Sequence, residues 1–134
     1  MNKFNLYNLL KKKNYSKLKF HKFIYRNCKF SDINFEECFF DKSEFWKVSL
    51  DNVVFKKCSF NKTIFSDIQF KKCKFIECKI NNSSFSHLII ERKIFFDCNF
   101  YKNKFNTVIL NSKDILPRNV FNNNRDLLIT KTEK

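Results

Sequence analysis

The chain of 134 residues has no glycine and no alanine, with a single proline and a single tryptophan. Without glycine there is no P-loop, dinucleotide fingerprint, nucleophile elbow or EF-hand loop, because each needs backbone that only glycine supplies. Most nucleotide enzymes are excluded with them. No apolar run approaches the roughly 20 residues of a membrane-spanning helix. Residues 1–13 offer only Leu9-Leu10 ahead of Lys11-Lys12-Lys13, too short and too charged for a signal-peptide core. Acidic residues are few: 13 Asp+Glu against 27 Lys+Arg leave a net charge of +14, which suits acidic partners. The richness in Lys, Asn, Ile and Phe also fits AT-rich codon usage, so the basic charge has two candidate origins. The length suits one domain, and a cytoplasmic location is expected.

What the chain has in abundance is phenylalanine, 19 in all. From Phe20 every fifth residue is large and apolar, through Tyr25, Phe30, Phe35 and onward to Phe105 and Leu110. Two residues before most of them stands a smaller one, such as Cys28, Ile33, Cys38, Ser43 and Val48. A period of five is neither helical nor that of a long strand. Residues two apart on a short extended segment do share a face, so each pentad reads as one side with two inward residues and a corner. Cys38, Cys58, Cys78 and Cys98 recur at twenty, as do Ser43, Thr63 and Ser83, so four pentads close one coil. The expectation is an all-β, four-sided solenoid of slightly under five coils.

Segments such as Cys38-Phe39-Phe40-Asp41-Lys42, Cys58-Ser59-Phe60-Asn61-Lys62 and Cys98-Asn99-Phe100-Tyr101-Lys102 resemble the pentapeptide-repeat family. The resemblance implies a right-handed quadrilateral β-helix over 18–112. Residues 1–17 would be an N-terminal cap or degenerate first coil, and 113–134 a C-terminal cap and mobile tail. Lys93 and Asn103 fall in the inward column where the repeat decays.

Catalysis has little to stand on. His21 and His87 lie outward on different corners, the carboxylates scatter over the outside, and a Phe-filled interior leaves no substrate cavity. A non-enzyme without cofactor or metal is expected. The six cysteines all take the small inward position, where parallel side chains suit neither a disulfide nor a zinc tetrahedron. Lys22, Lys42, Lys62 and Lys102, with Asn82 in the gap, form a row on one corner, and Lys19 and Lys79 lie on the same side. The row is either a binding stripe for phosphates or acidic side chains, or a solubilising surface. A second candidate contact is apolar, with Trp46 above Arg26 and Ile24 and Ile64 on the same side. Phe96, above Ile76 and beside Ile94, is expected to be covered by the C-terminal segment.

The function expected is a non-catalytic interaction protein that binds another macromolecule, foremost a protein, with nucleic acid or an anionic surface also open. The family resemblance implies an alternative, protection of a type II topoisomerase (DNA gyrase) or immunity to a toxin by imitation of DNA. The excess of Lys and Arg over Asp and Glu in the repeats has the wrong sign for that imitation. A further alternative is a polyanion or membrane-surface binder using the lysine row and Lys11-Lys12-Lys13. A homodimer through a solenoid end is open.

Overall fold

The computed structural model describes residues 13–117 and 127–129, and expectations placed on 1–12, 118–126 and 130–134 lie outside the described residues. The described strands are β1 (Asn14–Ser16), β2 (Ile24–Glu36), β3 (Glu44–Lys56), β4 (Ser59–Asn61), β5 (Ile64–Ser66), β6 (Gln69–Ile76), β7 (Lys79–Asn81), β8 (Ser84–Ile90), β9 (Phe95–Phe96), β10 (Asn99–Tyr101), β11 (Lys104–Leu110) and β12 (Leu127–Ile129). All pairings are parallel, and from β1 to β11 each residue faces the one twenty later: Tyr15 faces Phe35, Tyr25 faces Phe45, and Phe85 faces Phe105. The chain is therefore a four-sided β-solenoid of about five coils, as the period of twenty predicts.

The centre residue of each pentad points into the stack, and most are fully buried. Three of the four inward columns are aromatic ladders. Phe35, Phe55 and Phe75 stack with centroids 5.0 and 4.8 Å apart and rings 6° and 14° from parallel. These separations follow from the strand spacing of about 4.8 Å. Rings of neighbouring columns meet edge-on, as Phe40 meets Phe55 at 5.6 Å and 81°, so both favoured aromatic geometries are used together.

The corners turn through left-handed backbone. Among the described residues eighteen non-glycine residues have φ between 51° and 60°, every fifth position from Lys17 to Thr107 with the exception of Arg92. Such a conformation costs a non-glycine residue about 1–2 kcal/mol. The stack imposes it by bonding each corner to the next coil: the N–H groups of Lys22, Lys42 and Lys62 donate to the carbonyls of Asp41, Asn61 and Asn81 at 3.0, 2.8 and 3.0 Å.

Small polar residues enter the core because each finds a carbonyl. Thr63 Oγ1 donates to the Phe40 carbonyl at 2.9 Å and Cys78 Sγ to that of Phe55 at 3.2 Å. Asn103 prolongs the first series instead of marking decay. Its Nδ2 donates to the Ile80 carbonyl and its Oδ1 accepts from the Ser83 N–H, both at 2.8 Å.

Lys93 departs from expectation. It is exposed, and Ile94, expected outward beside Phe96, is buried at 3 % exposure. An inward ammonium would have no countercharge among these rings, and burying it would cost several kcal/mol. The backbone turns Lys93 out and Ile94 in, and the strand lapses between Ile90 and Phe95. At the upper end β12 adds to β11 with Val108 facing Leu127, an offset of nineteen. A 3-10 turn, Lys113–Ile115, is capped by Ser112, and Ile115 and Leu116 are buried.

Candidate functional site

The wall bearing β4, β7 and β10 carries the lysine row. Strand pairing places Ser59, Lys79 and Asn99 in line, and isolated bridges extend the line down through Phe39 to Lys19. At the corner beside it Lys22, Lys42, Lys62 and Lys102 share φ of 60°, 59°, 57° and 56°. All four side chains are exposed. Their common backbone state projects them from equivalent points one coil apart, with a two-coil gap at Asn82. Among the described residues the ion pairs are Lys17–Glu37 and Lys29–Asp51, neither of which involves the row. Between the wall's two corners Asp41 is the one carboxylate, and it accepts from the Asn61 N–H at 3.2 Å, while the opposite corner carries Glu37, Glu77 and Asp97. Asn82 Nδ2 donates to Asn61 Oδ1, and Lys102 lies over the Tyr101 ring, 5.2 Å from its centroid.

The wall also holds two apolar side chains that pattern reading passed over. Phe39 is 41 % and Tyr101 60 % exposed. Both stand at outward pentad positions, so their exposure follows from the register alone.

The second candidate group is brought together only in part. Arg26 faces Trp46 and lies 5.4 Å from its ring centroid, and Trp46 Nε1 donates to Glu44 Oε1 at 2.7 Å. Glu44 separates Ile24 from Ile64 in the strand register. Ile24 is exposed, whereas Trp46 and Ile64 are half-buried. Phe96 is half-buried above Ile76, with Lys93 5.4 Å from its ring centroid.

All six cysteines are free thiols; Cys38, Cys58, Cys73 and Cys78 are buried, and Cys28 and Cys98 half-buried. Burial pushes Cys28 up to about 11 and Cys73 higher still. The Cys38, Cys58, Cys78 and Cys98 thiols stand in one column, donate to backbone carbonyls and titrate as a coupled set. Burial raises Tyr25 strongly, and its hydroxyl has no hydrogen-bond partner among the described residues. His21 and His87 are both exposed. Among the described residues no group of three His, Cys, Asp or Glu side chains could hold a metal ion, and no helix is long and apolar enough to cross a membrane.

A family model described as the SV2A/B/C luminal domain matches residues 1–85, more than half of the chain. The chain belongs to the SV2A/B/C luminal domain family. In SV2 that domain is a pentapeptide-repeat-like β-helix, so the family and the observed solenoid agree. The match takes in the lower coils, with Lys22, Lys42, Lys62 and Trp46, and stops before Lys102 and the lapse at Ile90–Phe95. No curated protein matches the chain.

Proposed function

We propose that this luminal-domain family member is a non-catalytic scaffold that binds an acidic macromolecule, foremost a protein, through the wall bearing Lys22, Lys42, Lys62 and Lys102. The observation that carries this reading is the row itself: four exposed ammonium groups on equivalent left-handed corners, outside the ion pairs of the described residues. Like charges at this spacing repel one another, and an anionic partner relieves the repulsion. The stacked coils fix the backbone beneath the row, so binding has only the lysine side chains to order. Phe39 adds an apolar anchor between the charges. The excess of basic residues argues against imitation of DNA at a topoisomerase. Six free thiols suit a reducing compartment such as the cytoplasm, while the family's luminal name is that of SV2.

The test is binding of a labelled poly-glutamate chain at rising salt. Replacing Lys22, Lys42, Lys62 and Lys102 with Gln is expected to weaken binding far more than replacing Lys47, Lys56, Lys57 and Lys104, which removes equal charge from other places. Equal losses would reduce the effect to general basicity. A parent protein that fails to bind at physiological salt would leave the row as solubilising surface.

A further inference from the structure

We infer that the lapse in the repeat at Glu91–Ile94 builds a binding cleft for a small, multiply phosphorylated anion. Strand β6 pairs with the coil below it from Ser49–Gln69 through Lys56–Ile76, but with the coil above only at Phe75–Phe95 and Ile76–Phe96. Along 69–74 the ladder to residues 89–94 of the next coil is therefore open. Phe70 registers the opening. Its column mates Phe30, Leu50, Ile90 and Leu110 are at most 2 % exposed, whereas Phe70 is only partly buried.

Two adjoining cavities, of about 270 and 390 Å³, occupy the gap and share Phe70, Lys72, Arg92 and Ile94 as walls. Lys71, Lys74 and Lys93 complete a set of five cations, against Glu91 as the one carboxylate in the lining. None of the five belongs to an ion pair of the described residues. The charge is also segregated along this corner. Asp32 and Asn52 bond to each other at 2.8 Å two coils below, while the next two positions upward are Lys72 and Arg92.

The cause is the same exchange that turns Lys93 outward. Because Arg92 escapes the left-handed corner, the chain from 91 to 94 leaves the strand and the slot opens beneath it. A space of this size takes a small ligand and excludes a folded partner. A guanidinium offers a planar fork, and lysines offer point charges, for phosphate oxygens. Open strand edges supply backbone polar groups that want partners, and Phe70 and Ile94 give the cleft an apolar wall. Phosphate chemistry of this kind comes either as inorganic polyphosphate or as an organic phosphate such as a nucleotide.

The test is calorimetric titration of the full chain at physiological salt, once with inorganic tripolyphosphate and once with ATP. Saturable binding of one probe molecule per chain is expected, weakened about tenfold or more when Lys72 and Arg92 are both changed to Gln. The variant lacking Lys22, Lys42, Lys62 and Lys102 should bind as the parent does, which separates this cleft from the proposed wall. Tighter binding of ATP than of tripolyphosphate would assign an organic phosphate, and equal affinity an inorganic one; both support the cleft. Thermal melting checks folding, and Lys71→Gln with Lys74→Gln serves as a second variant with the same expected loss. No saturable binding, or equal loss in the wall variant, overturns the inference.

Discussion

Thr63 Oγ1 donates to the carbonyl of Phe40, twenty-three residues earlier, at 2.9 Å. Cys58 to Phe35, Cys78 to Phe55 and Cys98 to Phe75 repeat the relationship with sulfur as donor. The small inward position is thus a tie between coils as well as a spacer. Thr63→Val keeps the shape and removes one of two donors to this carbonyl, which retains the Ser43 N–H at 3.2 Å, so it is expected to cost about 0.5–1.5 kcal/mol in chemical denaturation. Thr63→Ser, which keeps the hydroxyl, should cost less. Equal losses would assign the whole effect to packing.

The aromatic ladders give a second expectation. Phe60 is fully buried, stacked on Phe40 at 5.1 Å and edge-on to Phe55. Phe60→Ala should destabilise by about 3–5 kcal/mol, whereas Lys62→Ala, two residues on and exposed, should cost less than about 1. Comparable losses at the two sites would contradict the inward register.

The phenylalanine columns, the Cys and Ser/Thr columns and the period of twenty are legible in the sequence because the solenoid repeats its environment. One residue type satisfies one position coil after coil. Lys93 and Ile94 were not legible, since strict counting places Lys93 inside, and only the cost of a buried ammonium reverses the pair. Asn103 looks like decay in the sequence because an amide is unusual in a core; its partners, the Ile80 carbonyl and Ser83 N–H, appear only when the coils are stacked. The open ladder beside Phe70 lies 23 residues before the counted anomaly at Lys93, across a gap between coils. Pattern along the chain carries no trace of it.

The left-handed corners predict which surface changes matter. Thr107 holds φ of 57° despite branching at Cβ, where Asn is better tolerated. Thr107→Asn is expected to raise stability by up to about 1 kcal/mol, and Lys57→Val at another corner to lower it by a similar amount. Melting temperatures that move the opposite way would show that the corners do not hold this conformation in solution.

Alkaline pH should loosen the fold. Burial raises Cys28 to about 11, and Cys73 and Tyr25 are raised as well. As pH climbs through the ordinary thiol range the unfolded chain loses protons that the folded chain still holds, so unfolding becomes more favourable. Stability is expected to be level near neutrality and to decline from about pH 9 to about pH 11. Thiol labelling of the native protein should be slow at pH 8 and reach all six cysteines after unfolding. A melting temperature that rises across the alkaline range would refute the assignment.

The exchange of Lys93 and Ile94 can be reversed by design. Lys93→Val with Ile94→Lys puts an aliphatic side chain at the inward position and a charge outside, as in the equivalent pentad of the coil below, where Cys73 is buried and Lys74 exposed. If the lapse exists to keep an ammonium out of the core, the double variant regains the strand between Ile90 and Phe95 and closes the ladder along 69–74. Stability should rise by about 1 kcal/mol or more, and backbone amides at 71–74 should exchange hydrogen more slowly than in the parent. The single change Lys93→Val separates charge from register. It removes the ammonium and leaves Ile94 to compete for the same inward space, so it should recover only part of both effects. Unchanged exchange at 71–74 in the double variant would trace the open ladder to Arg92 and its corner instead of Lys93.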